Sequence, residues 1–170
     1  AKVLSTPDDY SQGIATGLEG TLAHGALKID DISQIMHGTT VATNAILEGK
    51  GARVALITTR GFRDVLEIRR LRMPVLYDIR FRKPKTLVPR NLRFEIDERI
   101  NAEGEIDRPC DEADARRVVD RVLAEKVDAI AVCLINAYAN GAHERLVRDL
   151  IRTKDRDIPV TLSSELLPEI

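Results

Sequence analysis

The sequence predicts an α/β fold, with a largely parallel sheet and helices packed against it. First, short apolar runs rich in Val, Leu and Ile alternate along the chain with amphipathic segments of helical period. Second, the runs Arg53–Thr58 and Ala129–Ile135 carry little polarity, as expected for strands that are buried on both faces. Third, 170 residues with 44% hydrophobic and 31% charged content are typical of one globular domain with a buried core.

The first third of the chain predicts two helices and two strands. Residues 6–9 combine a capping threonine, a proline and two aspartates, so the first helix should begin there and end near Gly25. A buried strand is expected from Gln34, followed by a tight polar turn at residues 37–40. A second helix should then stop near Gly49, before the strand at Arg53–Thr58.

The middle of the chain predicts a long loop between a short helix and a hairpin. The helix is expected from Gly61 to about Arg70. Residues 73–90 contain three prolines, no apolar period and many arginines and lysines, so we expect this segment to be poorly ordered alone or held by a neighbouring chain. Leu92–Ile100 alternates as a strand, and a turn at residues 101–104 leads into a short partner strand.

The last third predicts two amphipathic helices and two strands. Asp111 starts a helix with a clear apolar stripe, and Asn140 caps a final helix after the strand Ala129–Ile135. Val160–Ser163 reads as the last strand. Together these elements complete the predicted α/β alternation.

The turn His37-Gly38-Thr39-Thr40 is the first candidate site, because it joins the carboxyl end of a predicted strand to a helix N-terminus. A plain turn and helix cap would explain the pattern. However, two adjacent hydroxyls, with Asn44 one turn further along the same helix face, offer more hydrogen-bonding capacity than a cap needs.

Four stretches of the sequence resemble one family, the hydantoinase A and 5-oxoprolinase enzymes. They are HGTTVATNAILEGKGARVALITTRGFRDVLEI from His37, RFEIDERINAEGEI from Arg93, NGAHE from Asn140 and LSSELLPEI at the end. The resemblance implies part of an actin-, Hsp70- and sugar-kinase-like domain with a ribonuclease-H-like core. It also implies that residues 1–170 are an incomplete N-terminal domain, because family members open with a phosphate-loop hairpin that does not precede Ala1.

The resemblance further implies an ATP-dependent hydrolase subunit that opens small cyclic amides such as hydantoins or 5-oxoproline. ATP and Mg²⁺ would phosphorylate the ring carbonyl oxygen, and water would then open the ring. His37, Thr39 and Thr40 are the expected catalytic residues, with Gly38, Asn44 and Arg63 binding substrate or phosphate. A second, hydantoinase B-type subunit or domain is the expected partner, in an oligomeric assembly. We expect the 170 residues alone to be inactive.

Two of these residues have alternative explanations. His37 can be a hydrogen-bonded structural residue at a strand end, or it can donate to a developing oxyanion or move a proton. Arg63 and Asp64 can form a simple helix-start pair, or Arg63 can reach a phosphate or carboxylate while Asp64 orients it.

The composition limits which binding partners and which cellular compartment we expect. The formal net charge of −1 argues against a general polyanion binder, and the basic loop lacks the interleaved aromatics of a nucleic-acid groove. No apolar run approaches the ~20 residues of a membrane span, and two distant cysteines suggest no metal cluster. We therefore expect a cytoplasmic protein without a bound structural metal, nucleic acid or membrane.

Two other functions stay open at this point. The resemblance extends to acetone and acetophenone carboxylase subunits, which would activate a ketone or bicarbonate. Alternatively, the segment is a non-catalytic assembly or regulatory module whose basic loop, with Arg80 and Arg82, binds an acidic partner.

Overall fold

The computed structural model describes residues 2–4, 6, 9–26, 28–36, 38–49, 51–70 and 78–169, with only the backbone described at position 41. The chain divides into two compact units, Ala1–Asn44 and Ala45–Ile170. The first unit contains helix α1 and the start of helix α2. The second contains every strand of the described residues.

The described residues form six α-helices, two of which are single turns. They are α1 Tyr10–Gly25, α2 Val41–Glu48, α3 Val65–Ile68, α4 Glu112–Ala124, α5 Ala142–Lys154 and α6 Ser163–Leu166. The end of α2 agrees with the prediction, since Gly49 follows it with a left-handed φ of +65° that glycine adopts without strain.

Within the described part of the chain, six strands make two sheets. They are β1 Val54–Thr59, β2 Arg93–Ile96, β3 Arg99–Ile100, β4 Ile106–Arg108, β5 Ala129–Cys133 and β6 Val160–Leu162. The larger sheet has the order β2-β1-β5-β6, and each of its three pairings is parallel. β3 and β4 form a separate antiparallel pair. The predicted α/β class with a largely parallel sheet is therefore confirmed.

The core lies where α4 and α5 pack together with the sheet. Helix α4 begins as predicted, because the Asp111 side chain accepts a hydrogen bond from the Asp114 backbone N–H at 2.7 Å. Its apolar residues recur at helical spacing, and the helix packs against β2 and α5, while α5 packs against β5 and β6. The helix residues buried here are Ala115, Val118, Val119, Val122, Val147, Leu150 and Ile151.

Helix α1 begins at Tyr10, later than the predicted start at residues 6–9. Asp9 is the N-cap, and its carboxylate accepts from the Ser11 backbone N–H at 3.0 Å. The Thr6 hydroxyl instead donates to the Asp9 carbonyl oxygen and accepts from the Gly13 N–H at 3.1 Å. Thr6 therefore ties the preceding segment to the helix and does not cap it.

The strand predicted from Gln34 is wrong for the residues described there. Residues 34–36 are neither strand nor helix, and Ile35 and Met36 are 63% and 88% exposed. A strand persists only where a neighbour pairs with its backbone, and no described strand pairs with this segment. Apolar content alone therefore predicted a strand where residues 34–36 form none.

The single strand predicted over Leu92–Ile100 is two strands in different sheets. β2 runs parallel to β1, whereas β3 pairs with β4 in the hairpin. The chain leaves the sheet at Asp97 and Glu98. The hairpin turn agrees with the prediction, since Gly104 has a left-handed φ of +86°.

Part of the predicted long loop is described. Residues 78–89 form no helix or strand, and residues 73–77 lie outside the described part of the chain. This stretch contacts its own unit: Lys83 Nζ donates to the Glu67 carbonyl at 3.2 Å and Arg69 donates to the Pro84 carbonyl at 3.3 Å. Val88 is buried. Helix α3 is shorter than predicted and ends before Arg69.

Candidate functional site

The predicted turn leads into α2 and presents its side chains to solvent. Gly38, Thr39, Thr40 and Asn44 are all exposed. The Asn44 backbone N–H donates to the Thr40 carbonyl at 2.8 Å, and the Asn44 side-chain amide lies 3.4 Å from the Thr40 hydroxyl. The helix therefore brings Thr40 and Asn44 together as the one-turn spacing predicted.

A shallow cavity adjoins Thr39 within the first unit. Its volume is about 350 Å³, and its lining is mostly apolar. At Gly38 a side-chain carbon would meet nothing within 4 Å, so the backbone there is open to a ligand. A mostly apolar cavity with a few polar groups is the usual form of a small-molecule site. The lining residues are Val3, Leu4, Thr6, Tyr10, Gly13, Ile14, Gly17 and Thr39.

Two other predicted residues have different outcomes. His37 lies outside the described residues, so its predicted catalytic role stays a prediction. Arg63 belongs to the second unit, where its Nε atom lies 3.9 Å from the Glu95 carboxylate and has no hydrogen-bond partner. This Nε atom is buried, whereas 36% of the Arg63 side chain is exposed.

Asp64 is the N-cap residue of α3, as the helix-start explanation predicted, but its side chain makes no cap hydrogen bond and its hydrogen-bond partner is not Arg63. Asp64 accepts two hydrogen bonds from Arg90, at 2.8 Å from Nε and 3.0 Å from the terminal nitrogen. The fork of the Arg90 guanidinium matches both carboxylate oxygens, and this hydrogen bonding lowers the pKa of Asp64. Arg90 comes from the long loop, so sequence proximity gave the wrong partner.

A buried polar cluster in the second unit was missed by sequence reasoning. The Thr59 hydroxyl donates to Glu98 Oε1 and accepts from the Ile135 N–H at 3.0 Å. The second oxygen of Glu98 lies 2.7 Å from His143 Nδ1. Glu98 and His143 are only 1% and 5% exposed. We call Thr59, Glu98 and His143 the switch-point cluster, because of its position in the sheet.

The cluster sits at the carboxyl edge of the parallel sheet. Thr59 ends β1, Glu98 follows β2, and His143 lies in the first turn of α5, which follows β5. The chain leaves β1 toward β2 on one side and leaves β5 toward β6 on the other. Neighbouring strands whose connections diverge form a topological switch point, where open α/β sheets bind ligands.

Glu144 forms a second buried carboxylate beside this cluster. Its Oε1 accepts from the Leu134 N–H at 3.0 Å and the Ser163 hydroxyl at 2.7 Å. Its Oε2 accepts from the Ser164 N–H at 2.9 Å and the Ser164 hydroxyl at 2.6 Å. Four donors from the ends of β5 and β6 satisfy this carboxylate, so its role is to join the two strand ends.

A signal for these residues is present in the sequence. Phe94, Ile96 and Ile100 follow the strand period of two, and Glu98 occupies the position between them that should be apolar. His143 and Glu144 likewise precede Val147, the first apolar residue of the buried stripe of α5, by four and three residues. A polar residue at a position where the pattern requires an apolar one indicates a buried hydrogen-bond network.

A second cavity, of about 580 Å³, lies beside the start of α4. Asp97 forms ion pairs there with Arg60 at 2.7 Å and Arg108 at 2.5 Å, and the Arg108 hydrogen bond lowers the pKa of Asp97. Arg117 pairs with Asp114 at 3.0 Å. The three arginines of this cavity face three aspartates, with Asp111 the third, so it carries no excess charge that would attract an anion.

The described residues fit a phosphate better than a metal ion. Hydroxyls, an amide and an open glycine backbone at residues 38–44 suit phosphate oxygens. Among the described residues, no group of three or more His, Cys, Asp or Glu could hold a metal ion. No helix in the same part of the chain is long and apolar enough to cross a membrane.

Comparison with known sequences decides the family. The profile of the hydantoinase/oxoprolinase N-terminal region matches residues 1–155. The chain belongs to this family. The resemblance is therefore confirmed, and three of its four stretches lie within the matched residues.

Two relatives show which enzymes share this region. The caprolactamase alpha subunit of Pseudomonas jessenii is 33% identical over 99% of this chain and 25% of its own length. The acetophenone carboxylase gamma subunit of Aromatoleum aromaticum is 32% identical over 100% of this chain and 26% of its own length. This hydantoinase/oxoprolinase chain thus spans about a quarter of those relatives.

Solved structures support the same relationship. The nucleotide-free structure of an ATP-dependent acetone carboxylase matches 98% of the chain and 26% of its own, with a TM-score of 0.85 and 27% identity. The ATP-dependent caprolactamase of Pseudomonas jessenii matches 100% of the chain and 26% of its own, with a TM-score of 0.84 and 32% identity. The fold of this chain is therefore shared with a caprolactamase and an acetone carboxylase.

Proposed function

We propose that this chain is part of an ATP-dependent hydrolase subunit that opens small cyclic amides of the hydantoin or 5-oxoproline class. The observation that carries the proposal is the family match over residues 1–155, together with the caprolactamase relative that covers nearly the whole chain. A ring amide is a poor electrophile, and phosphorylation of its carbonyl oxygen by ATP would make the carbonyl carbon reactive toward water.

The first unit supports a role in substrate binding. The cavity beside Thr39 has the size and apolar lining that suit a small ring. Thr40 and Asn44 stand side by side on the exposed face of α2 and offer a hydroxyl and an amide. We propose that Gly38, Thr40 and Asn44 hold the ring carbonyl or the transferred phosphate, with Thr39 at the edge of the cavity.

These groups fit a reaction in which the protein positions its reactants. When ATP is bound, it supplies the phosphoryl group that makes the carbonyl oxygen a leaving group. Hydroxyl and amide donors stabilise the charge that develops on oxygen during transfer. We propose that the partly exposed Arg63 side chain binds a phosphate or carboxylate. His37 stays a proposed acid or electrophile at the same turn.

Mg²⁺ has no cluster of ligands among the described residues. No step of the proposed reaction is therefore assigned to a metal held by this chain. The remaining parts of the proposal are a second hydantoinase B-type subunit or domain, an oligomeric assembly and a cytoplasmic location with access to ATP.

The proposal is tested with the full-length protein that carries this chain, together with its B-type partner. Hydantoin, 5-oxoproline, caprolactam, acetone and acetophenone are supplied in parallel with ATP and bicarbonate, and ADP and organic products are measured. Ring-opened product with matching ADP supports the proposal. Carboxylated ketone without ring opening would contradict it.

A second candidate, an ATP-dependent carboxylase subunit, rests on a specific observation. The acetone carboxylase structure and the acetophenone carboxylase subunit match the chain as completely as the caprolactamase does. Acetone or acetophenone turnover in the same panel would favour this candidate. A non-catalytic assembly module would give no turnover with any substrate, and reversing the charges of Arg80 and Arg82 would then abolish complex formation.

A further inference from the structure

A shallow groove lies in the second unit, between α3 and the end of the long loop. Its volume is about 310 Å³, and it lies entirely within that unit. Three apolar side chains, two cations and one hydroxyl form its lining. We call these six residues the α3 groove, and they are Val65, Leu66, Arg69, Lys85, Thr86 and Leu87.

A buried arginine holds the two walls of this groove together. The side chain of Arg93 has no exposed surface. On the α3 side its guanidinium donates to the Glu67 carboxylate at 3.1 Å. On the loop side it donates to the Thr86 hydroxyl at 3.0 Å and to the Val88 carbonyl at 2.9 Å. The groove is therefore formed in the free protein, and a preformed surface loses less conformational freedom when a partner binds.

The α3 groove keeps two positive charges without a counter-charge. Both carboxylates of the α3 region are already engaged, since Asp64 is paired with Arg90 and Glu67 accepts from the buried guanidinium. Arg69 donates to an uncharged backbone carbonyl, and Lys85 has no hydrogen bond within the described part of the chain. Neither cation forms an ion pair with another described residue. The groove therefore attracts an anionic group.

The apolar side chains of the groove show what kind of anion fits. Val65, Leu66 and Leu87 are 50%, 37% and 79% exposed. A free phosphate or a nucleic acid would pair with the cations and leave these side chains in water. None of the six lining residues is an aromatic on which a base could stack. An apolar centre with a charged rim is instead the composition of a protein–protein interface.

We propose that the α3 groove docks a segment of the hydantoinase B-type partner in which an apolar side chain lies beside aspartates or glutamates. The apolar side chain packs against Val65, Leu66 and Leu87. The carboxylates pair with the two cations of the groove, and a guanidinium can bind a carboxylate through two parallel hydrogen bonds. This inference rests on the proposed function, because the B-type partner is part of it.

The first test reverses one charge of the groove. The full-length protein that carries this chain is titrated with its B-type partner, and Kd is measured at low and high salt. Lys85→Glu should raise Kd at least about tenfold and weaken its dependence on salt, because an attractive charge becomes a repulsive one. The melting temperature should stay near wild type, since Lys85 is exposed and has no described hydrogen bond.

The matched control is Arg156→Glu. Arg156 is an exposed cation of the same unit, outside the groove, and it forms no ion pair with a described residue. Its reversal changes the net charge by the same amount and should leave Kd unchanged. An equal rise in Kd for both variants would show a general charge effect and would overturn the proposal.

The second test removes an apolar contact. Leu87 is 79% exposed, so Leu87→Ser should leave the melting temperature nearly unchanged and raise Kd about tenfold. Leu166→Ser is the control, because Leu166 is 74% exposed and lies outside the groove. It should keep the wild-type Kd.

The third test identifies what lies on the groove. The photocrosslinking residue p-benzoylphenylalanine is placed at position 87 of the full-length protein, and the irradiated complex is digested and sequenced by mass spectrometry. The expected product joins position 87 to a B-type segment that contains aspartate or glutamate. Crosslinks confined to the protein's own chain, or to a B-type segment without acidic residues, would overturn the proposal.

The remaining outcomes are also decisive. Wild-type Kd in folded Lys85→Glu and Leu87→Ser proteins would overturn the proposal, and so would a failure of both variants to fold. Binding of a short single-stranded oligonucleotide that Lys85→Glu abolishes would assign the groove to nucleic acid. A wild-type protein that forms no complex with the B-type partner would overturn the inference as well. A complex without ATP-dependent ring opening would contradict the proposed function alone, so the two failures are distinguishable.

Discussion

The Oε2 atom of Glu98 lies 2.7 Å from the Nδ1 atom of His143, although the residues are 45 positions apart in the chain. The contact joins the first turn of α5 to the segment between β2 and β3. Through the Thr59 hydroxyl it also reaches the end of β1. Three separate parts of the second unit are thus connected at one edge of the sheet.

Glu144 should be essential for stability. Glu144→Ala removes the acceptor of four hydrogen bonds and leaves the Leu134 and Ser164 N–H groups without their partner. At about 1–3 kcal/mol for each buried donor left unsatisfied, we expect the free energy of unfolding to fall by roughly 3 kcal/mol or more. Urea unfolding measures this change.

The control for that variant is Glu112→Ala. Glu112 is an exposed residue in the first turn of α4 and pairs with Arg116 at the surface. Surface pairs of this kind contribute less than about 1 kcal/mol. Equal losses for the two variants would contradict the role assigned to Glu144.

Thr40 and Asn44 should affect turnover and not stability. Both side chains are exposed, so Thr40→Ala or Asn44→Ala should leave the melting temperature nearly unchanged. Loss of a donor to a developing oxyanion typically lowers kcat about 10²- to 10³-fold. Steady-state kinetics of ring opening provides the measurement.

Thr43→Ala is the matched control, because Thr43 is an exposed threonine of the same helix. It should keep wild-type kcat. Variants at Thr40 and Asn44 that melt early yet retain full turnover per folded molecule would show that both residues are helix caps.

The Cys110 thiol should have a pKa well above that of an ordinary thiol. Burial raises its pKa to about 11, and the negative charge of Glu98 adds to the shift. In a Cys133→Ser background, alkylation by iodoacetamide should therefore reach half of its maximal rate near pH 11, compared with about 8.5 for a free thiol. The rate is followed by mass spectrometry.

Glu98→Gln in the same background removes a negative charge and should move the Cys110 midpoint to lower pH. An unchanged midpoint would contradict the contribution of Glu98 to the raised pKa of Cys110.

Gly104→Ala should destabilise the hairpin. Gly104 has a φ of +86°, and an added side-chain carbon would lie 3.2 Å from the Ala139 carbonyl oxygen. Left-handed backbone costs a residue with a side chain about 1–2 kcal/mol. Gly51→Ala is the control, since nothing lies within 4 Å of its added carbon. Thermal unfolding that gives equal stability for both variants would contradict the strained geometry.

Much of the second unit could be predicted from local sequence. The stripe of α4 and the apolar run of β5 are determined by residues close together in the chain, and the Asp111 cap acts within three residues. The prediction of a strand from Gln34 was wrong because strand formation depends on a pairing partner that periodicity does not reveal. The prediction of one continuous strand over Leu92–Ile100 was wrong for a related reason. The chain leaves the sheet after β2, where Glu98 contacts partners from β1 and α5.

The site was predictable only where its residues are neighbours in sequence. Thr40 and Asn44 are one helical turn apart, so spacing alone brought them together. Asp64 and Arg90 are 26 positions apart, a separation that no short sequence motif covers. Thr59, Glu98 and His143 meet through the sheet order, which local periodicity does not determine.

The most direct test of the central claim is the stoichiometry between ATP hydrolysis and ring opening in the full-length protein with its partner. The cyclic amide that turns over fastest is incubated with limiting ATP, and ADP and ring-opened product are quantified together. We predict equal amounts of both products and no ring opening without ATP. Ring opening that proceeds without ATP, or ADP formation without an opened ring, would contradict the account.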